Sequence, residues 1–255
     1  MLFDSHCHFD AAEFDHDRAG ALARAHATGV TQQLIPAVDF SGWQKLRGVC
    51  AMAPGLHAAY GLHPMFLDRH RPEHLDALPD WIEREKPKAI GECGLDFFVE
   101  GLDATTQRMY FRRQLEIAKD FSLPVVVHAR RAVDEVIATL RQVGGLHGVI
   151  HSYSGSEEQA QQLFKLGFHL GIGGPVTHER AQRLRRIVTH MPIEWLLLET
   201  DSPDQPGAQH RGERNEPAYL PEVAAVVAQL RGEPVENIAD ATRGNAEKLF
   251  GIVGD

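Results

Sequence analysis

The chain has 255 residues, 43% hydrophobic and 24% charged, with a formal charge of −9. No apolar run approaches the roughly 18–20 residues that a membrane-spanning helix needs, so a globular protein is expected and a membrane protein is not. The acidic balance also argues against sequence-independent binding of duplex nucleic acid, which relies on Lys and Arg neutralising phosphates.

Arginine outnumbers lysine, which suits bidentate anion contacts and equally follows from a GC-rich genome. The opening residues carry no basic region followed by an apolar one, so no secretory signal is expected. Cys7, Cys50 and Cys93 lack Cys-x-x-Cys spacing. Three thiols without a pairing pattern fit a reducing cytoplasm.

In chain order, a first strand is expected over residues 2–8 and ends in Asp4-Ser5-His6-Cys7-His8. The side-chain period of a strand is two, so His6 and His8 share a face. Helical spacing follows near 17–28, then a strand near 31–36, a helix near 41–53 and a strand near 57–61. A helix near 73–85 leads to a strand near 88–92, which ends at Glu92. The stripe Phe111, Leu115, Ala118 marks a helix over 104–121. Pro124 opens the fifth strand, over 124–128, where a missing amide proton costs least; this strand ends at His128. A helix near 131–143 and a strand over 147–151 ending at His151 come next. Residues 156–166 read as a helix and 168–172 as a strand. Gly171-Ile172-Gly173-Gly174-Pro175 lacks the features of a nucleotide-binding loop and reads as a tight turn. Ala181, Leu184, Ile187 and Val188 set a helical stripe over 178–190. The eighth strand, near 195–199, is followed by Asp201. A polar loop over 202–216 precedes Pro217, which opens a helix with the stripe Leu220, Val223, Ala224, Val227. A last helix is expected over 235–250.

Eight strands alternating with helices point to a (β/α)8 TIM barrel, with residues 1–255 as one domain and no linker or repeat. A doubly wound open sheet is the alternative. In a barrel, sites form at the C-terminal strand ends. His6, His8, Glu92, His128, His151 and Asp201 all fall there, and so converge on one mouth.

Four histidines and two carboxylates exceed the needs of one tetrahedral ion and suit two ions about 3.5–4 Å apart. His6 and His8 are expected to hold the first ion, and His128 and His151 the second. Glu92, between the pairs in barrel order, bridges them. Asp201 binds the first ion and takes a proton from a hydroxide-forming bridging water. The mixed N/O donors are compatible with Zn, Mn, Co or Mg.

Further segments carry a resemblance: Gly61-Leu62-His63-Pro64, Gly91-Glu92-Cys93-Gly94-Leu95-Asp96, His151-Ser152-Tyr153-Ser154-Gly155, Glu199-Thr200-Asp201-Ser202-Pro203, Arg214-Asn215-Glu216-Pro217 and Asn245-Ala246-Glu247-Lys248-Leu249-Phe250. With Asp4-Ser5-His6-Cys7-His8 and Pro124-Val125-Val126-Val127-His128, they run in order across nearly the whole chain. The sequence resembles the TatD family of metal-dependent hydrolases, within the amidohydrolase-type barrels. The resemblance implies DNase activity, often as a 3′–5′ exonuclease on single-stranded DNA. It also implies the six ligands above and, in some members, a third ion. Ser152-Tyr153 and Cys93 depart from the usual pattern of Cys or Gly then Phe, and of an aliphatic residue.

The resemblance suggests that His63 contacts substrate phosphate or a third ion. Arg130 is expected to clamp a phosphate oxygen. Arg214 is a substrate-binding candidate, and Asn215 is expected to cap the helix after Pro217. Glu199 and Asp4 share parity with the ligands and are expected either to orient a histidine or to be paired buried charges. Cys7 and Cys93 should point away, and His57, His147 and His169 are structural. Expected partners are a nucleic-acid substrate alone, without membrane or obligate protein partner, for a monomer. The same site chemistry would serve carboxyl esters or amides, including deacylation of a D-aminoacyl-tRNA. A non-enzymatic scaffold would not need six convergent donors.

Overall fold

In the computed structural model, which describes residues 1–252, eight parallel strands follow one another in chain order through one sheet. They are β1 (Leu2–Asp4), β2 (Val30–Pro36), β3 (Leu56–Tyr60), β4 (Ala89–Asp96), β5 (Val125–Arg130), β6 (Gly148–Ile150), β7 (Phe168–Ile172) and β8 (Leu196–Leu198). The ring closes just past β8 and β1. Ser5 N–H donates to Leu198 O at 2.9 Å, Asp201 N–H to His6 O at 2.9 Å and His8 N–H to Ser202 O at 2.7 Å. The architecture is the expected (β/α)8 barrel.

The intervening helices are α1 (Arg18–Ala27), α2 (Trp43–Cys50), α3 (Pro72–Glu85), α4 (Ala104–Asp120), α5 (Val133–Val143), α6 (Glu157–Lys165) and α7 (Gln182–His190). Two more, α8 (Leu220–Arg231) and α9 (Val235–Leu249), follow β8. Local chemistry starts them. Asp103 accepts Thr106 N–H at 2.6 Å at the head of α4, and Ser156 and Gln159 form a reciprocal capping box at α6. The stripes Phe111–Leu115–Ala118 on α4 and Leu220–Val223–Ala224–Val227 on α8 are buried against the sheet.

The apolar core has two parts. The larger lies between the strands and the helices. A smaller cluster takes Phe3, Leu34, Ala59, Val126, Val149 and Leu197 from different strands. Val126 shares strand parity with His128, and Leu197 with Glu199, so this cluster fills the barrel below the polar mouth. Leu249 at the end of α9 and Phe250 just after it close the lower end.

Of the boundaries that differ from expectation, four follow from identifiable local structure. β1 ends at Asp4, because the segment beyond it bonds alternately to β8 and β2: Ser5 to Leu198, Cys7 N–H to Leu34 O at 3.1 Å. β4 runs on to Asp96, so Glu92 sits mid-strand where the register with β5 shifts. At Gly94 (φ 146°) a Cβ would lie 2.0 Å from His128 O; only glycine lets β4 and β5 approach this closely. α7 begins at Gln182 rather than 178, because the chain first crosses the mouth in a short 3₁₀ turn, Gly174–Thr177. Ala181 and Leu184 therefore line the cavity, while Leu184 also packs against the core. Pro217 opens a 3₁₀ turn, Pro217–Tyr219, from which α8 continues.

Candidate metal centre

Glu92 lies at the centre of the mouth, 1% exposed, and its two oxygens face different neighbours. Oε2 is 3.1 Å from His6 Nε2 and 3.5 Å from His8 Nε2. Oε1 is 3.0 Å from His63 Nε2, 3.0 Å from His128 Nδ1 and 3.5 Å from His151 Nε2. Asp201 completes the ring. Its Oδ1 is 3.5 Å from His6 Nε2 and 3.7 Å from His8 Nε2, and its Oδ2 is 4.0 Å from His151 Nε2. The six side chains named as ligands thus meet at one place, with His63 beside them.

The outer ring atoms set the tautomers. His8 Nδ1 lies 3.2 Å from Pro36 O, so Nδ1 is a donor and Nε2, facing Glu92, is the nitrogen that can give up its proton to an ion. His63 is oriented the other way. Its Nδ1 accepts Met65 N–H at 3.1 Å, which puts the proton on Nε2, toward Glu92. His128 Nε2 donates to Asp96 Oδ2 at 2.8 Å, freeing Nδ1 for the centre. Asp96 also accepts Phe98 and Val99 N–H, so it is held independently of the histidine. Glu199 accepts Ser152 N–H at 2.6 Å and lies 3.2 Å from His151 Nδ1, a close but poorly aligned approach that is not a hydrogen bond. Gly171 makes room for this carboxylate: a Cβ there would fall 2.0 Å from Glu199 Oε2. Asp4 accepts Thr200 N–H at 2.9 Å and Thr200 Oγ1–H at 2.6 Å, binding β1 to the end of β8.

The electrostatics follow from burial and crowding. Burial pushes His6 well below its usual range, and the neighbouring His151 adds to this. Burial likewise lowers His63 to about 4. His8 and His151 are buried too, yet the acids outweigh burial. Glu92 and Asp201 hold His8 up at about 9, and Asp201, Glu92 and Glu199 hold His151 up at about 10. Burial would raise Glu92, but His63, His151 and His6 keep it well below the carboxylate range. Burial raises Asp4 to about 8 despite its bonds to Thr200.

A cation fits this arrangement. His6 Nε2 and His8 Nε2 lie 3.2 Å apart, and the buried Glu92 Oε2 between them has no hydrogen-bond partner. A shared positive ion satisfies all three acceptors at once. Among the described residues, three groups could hold metal: His6, His8, Glu92; His63, Glu92, His128; and His6, His151, Glu199.

The remaining candidates divide. His63 and Arg130 line a cavity of about 960 Å³ above the centre. Arg214 does not. It pairs with Asp17 at 2.6 and 2.9 Å and with Glu216 at 3.2 Å, over the Phe14 ring. Asn215 is not a helix cap; its amide donates to Thr200 O and Asp204 O, both at 2.8 Å, pinning the loop to the end of β8. Asp96 and Gln205 went unassigned in the sequence. Gln205 donates to Asp201 Oδ2 and accepts Ser152 Oγ–H at 2.9 Å. Parity could have found Asp96, two residues before Phe98 and four after Glu92, whereas nothing local marks Gln205. His57, His147 and His169 lie off the cavity. Cys7 and Cys93 are buried, with Cys7 Sγ directed to Gln33 and Leu34 O and Cys93 Sγ to Val126 O.

Residues 3–251 match the family model described as TatD related DNase. The chain belongs to the TatD family. It is 36% identical to an uncharacterized metal-dependent hydrolase, YjjV, of Escherichia coli K12, over 98% of each chain. It is 33% identical to the 3′-5′ ssDNA/RNA exonuclease TatD of Citrobacter rodentium, again over 98% of each. The crystal structure of the E. coli YjjV superposes with a TM-score of 0.94, covering 99% of this chain and 98% of that one. A phosphotriesterase homology protein of E. coli, at 15% identity and a TM-score of 0.69, shares the fold. This TatD-family chain is therefore a metal-dependent hydrolase with His and Glu clusters suited to ions.

Proposed function

We propose that the chain is a two-metal deoxyribonuclease that shortens single-stranded DNA from its 3′ end. The observation that supports this most is the split of Glu92, one oxygen toward His6 and His8 and the other toward His128 and His151. On this reading His6, His8 and Asp201 hold one ion, His128 and His151 the other, and Glu92 bridges. Zn, Mn, Mg or Co suits the donors. Bound there, the ions supply an acidified water and polarise the phosphoryl oxygen.

The protein does the rest. Asp201, fixed by the Gln205 amide, accepts the proton of the attacking water through Oδ2. His63, with its Nε2 proton on Glu92 Oε1, steadies that carboxylate, and Arg130 neutralises the charge of the phosphoryl oxygens from the cavity wall. Asp96 keeps His128 in place by its hydrogen bond, and the Glu199 carboxylate faces His151 Nδ1 as a charge partner. The barrel takes up residues 2–249, which supports reading the chain as one domain, and the three free cysteines support a reducing, cytoplasmic setting.

The test is cleavage of 3′- and 5′-labelled single strands by protein stripped of metal and reloaded with Mg, Mn or Zn. Metal-dependent loss from the 3′ end, abolished in Asp201→Asn, is the expected result. Hydrolysis of a carboxyl ester with no strand cleavage under any ion refutes the nuclease reading.

A further inference from the structure

The mouth of the barrel is divided by charge. Because the strands run in order around the ring, the loops after them do too. The cavity wall after β5, β6 and β7 carries Arg130, Arg180 and Arg183 and no acidic residue. Arg130 lies over the Phe98 ring at 3.7 Å. Neither Arg130 nor Arg180 has an acidic partner among the described residues, while Arg183 donates to Ser154 O at 2.7 Å. The wall after β8 and β1 is the reverse. Asp10, Glu13 and Asp204 line it with no Lys or Arg, and the side chains of Glu13 and Asp204 are exposed and unpaired among the described residues. The wall after β2 and β3 is largely apolar, with Val38, Met65 and Phe66.

A polyanion lying across the whole mouth would pay for each phosphate set against the acidic wall. One that enters over the arginines and stops at the centre would not. We propose that Arg180, farther along the wall from Arg130, anchors the phosphates upstream of the scissile bond. Glu13 and Asp204, in turn, reject a phosphate on the terminal residue. The site then takes a nucleic-acid end bearing a free hydroxyl, with its last base against Met65 and Phe66. The inference rests on the nuclease reading and adds to it the residues that select the chain end.

The experiment uses metal-loaded protein and short 5′-fluorescent single strands ending in a 3′-hydroxyl or a 3′-phosphate. Binding is read by anisotropy on strands whose terminal linkage is a non-hydrolysable methylenephosphonate, and cleavage on ordinary strands. Like charges at this range are expected to make the hydroxyl end bind roughly fivefold or more tightly. Glu13→Gln with Asp204→Asn should bring that ratio toward one. Arg180→Gln should weaken both strands alike and leave the ratio unchanged. All three side chains are exposed, so folding is not at stake. Equal binding of the two ends by the wild type, a ratio that survives Glu13→Gln with Asp204→Asn, or full affinity in Arg180→Gln overturns the inference. If both ends are cleaved equally, the inference falls and the nuclease reading stands. If neither is cleaved while a carboxyl ester is, both fall.

Discussion

Replacing Gly171 by alanine tests the seating of Glu199 without touching any proposed ligand. The new Cβ would start 2.0 Å from Glu199 Oε2 and 2.6 Å from Cδ, and Cβ contacts under 3.0 Å are essentially never found. The carboxylate is 0% exposed and must retreat by about 1 Å, enough to break a 2.6 Å bond to Ser152 N–H. The lost charged hydrogen bond and the overpacking together should cost about 3–6 kcal/mol of stability. Zinc affinity should fall by about 10–100-fold as His151 loses its support. Chemical denaturation of the metal-free protein and chelator competition measure the two effects. The decisive comparison is a double-mutant cycle. In a Glu199→Ala background the added methyl group enters vacated space, and Gly171→Ala should cost less than about 1 kcal/mol. An equal cost with and without Glu199 would refute the steric argument.

Other outcomes follow from the same geometry. His8 and His151, raised to about 9 and about 10 from 6.5, stabilise the metal-free protein fully below pH 6.5 and lose that contribution as pH rises through 9 and 10. Metal-free melting temperature should therefore fall across this window while zinc affinity rises. Calorimetry at pH 7 in buffers of different ionisation enthalpy should find about two protons released as zinc binds; none released would contradict the assignment of charge. Asn215→Ala leaves Thr200 O and Asp204 O without their donor and should destabilise by about 1–3 kcal/mol, with faster proteolysis of the 202–216 loop. Arg214→Ala should lower the unfolding free energy by about 1 kcal/mol or less through loss of its partly exposed Asp17 pair, yet leave KM for a single strand unchanged.

The alternation of apolar runs with helical stripes was enough to place all eight strands, because each strand of a closed parallel barrel is buried on both faces. Convergence of His6, His8, Glu92, His128, His151 and Asp201 was legible for a related reason: loops at one end of such a barrel have nowhere else to meet. Where β1 stops was not legible, since Ser5, Cys7 and His8 go on bonding to the neighbouring segments outside the regular ladder. The true setting of Arg214 was hidden as well. Its partner Asp17 is 197 positions away, and no local spacing reports such a pair. Tautomers escape sequence altogether. His8 and His63 are the same residue type at the same mouth, and only Pro36 O and Met65 N–H make Nδ1 a donor in one and an acceptor in the other.

The hydrogen bonds that close the ring, Ser5 to Leu198, Asp201 to His6 and His8 to Ser202, join the first segment of the chain to residues about two hundred positions later. The same few residues carry three of the six converging side chains. During synthesis, the ring therefore stays open at this seam until the last strand is made. Until the segment beyond the eighth strand leaves the ribosome and docks, His6 and His8 have no Asp201 opposite them. An interrupted chain therefore lacks the Asp201 side of the centre, and the first-made segment waits on the last strand for its partners.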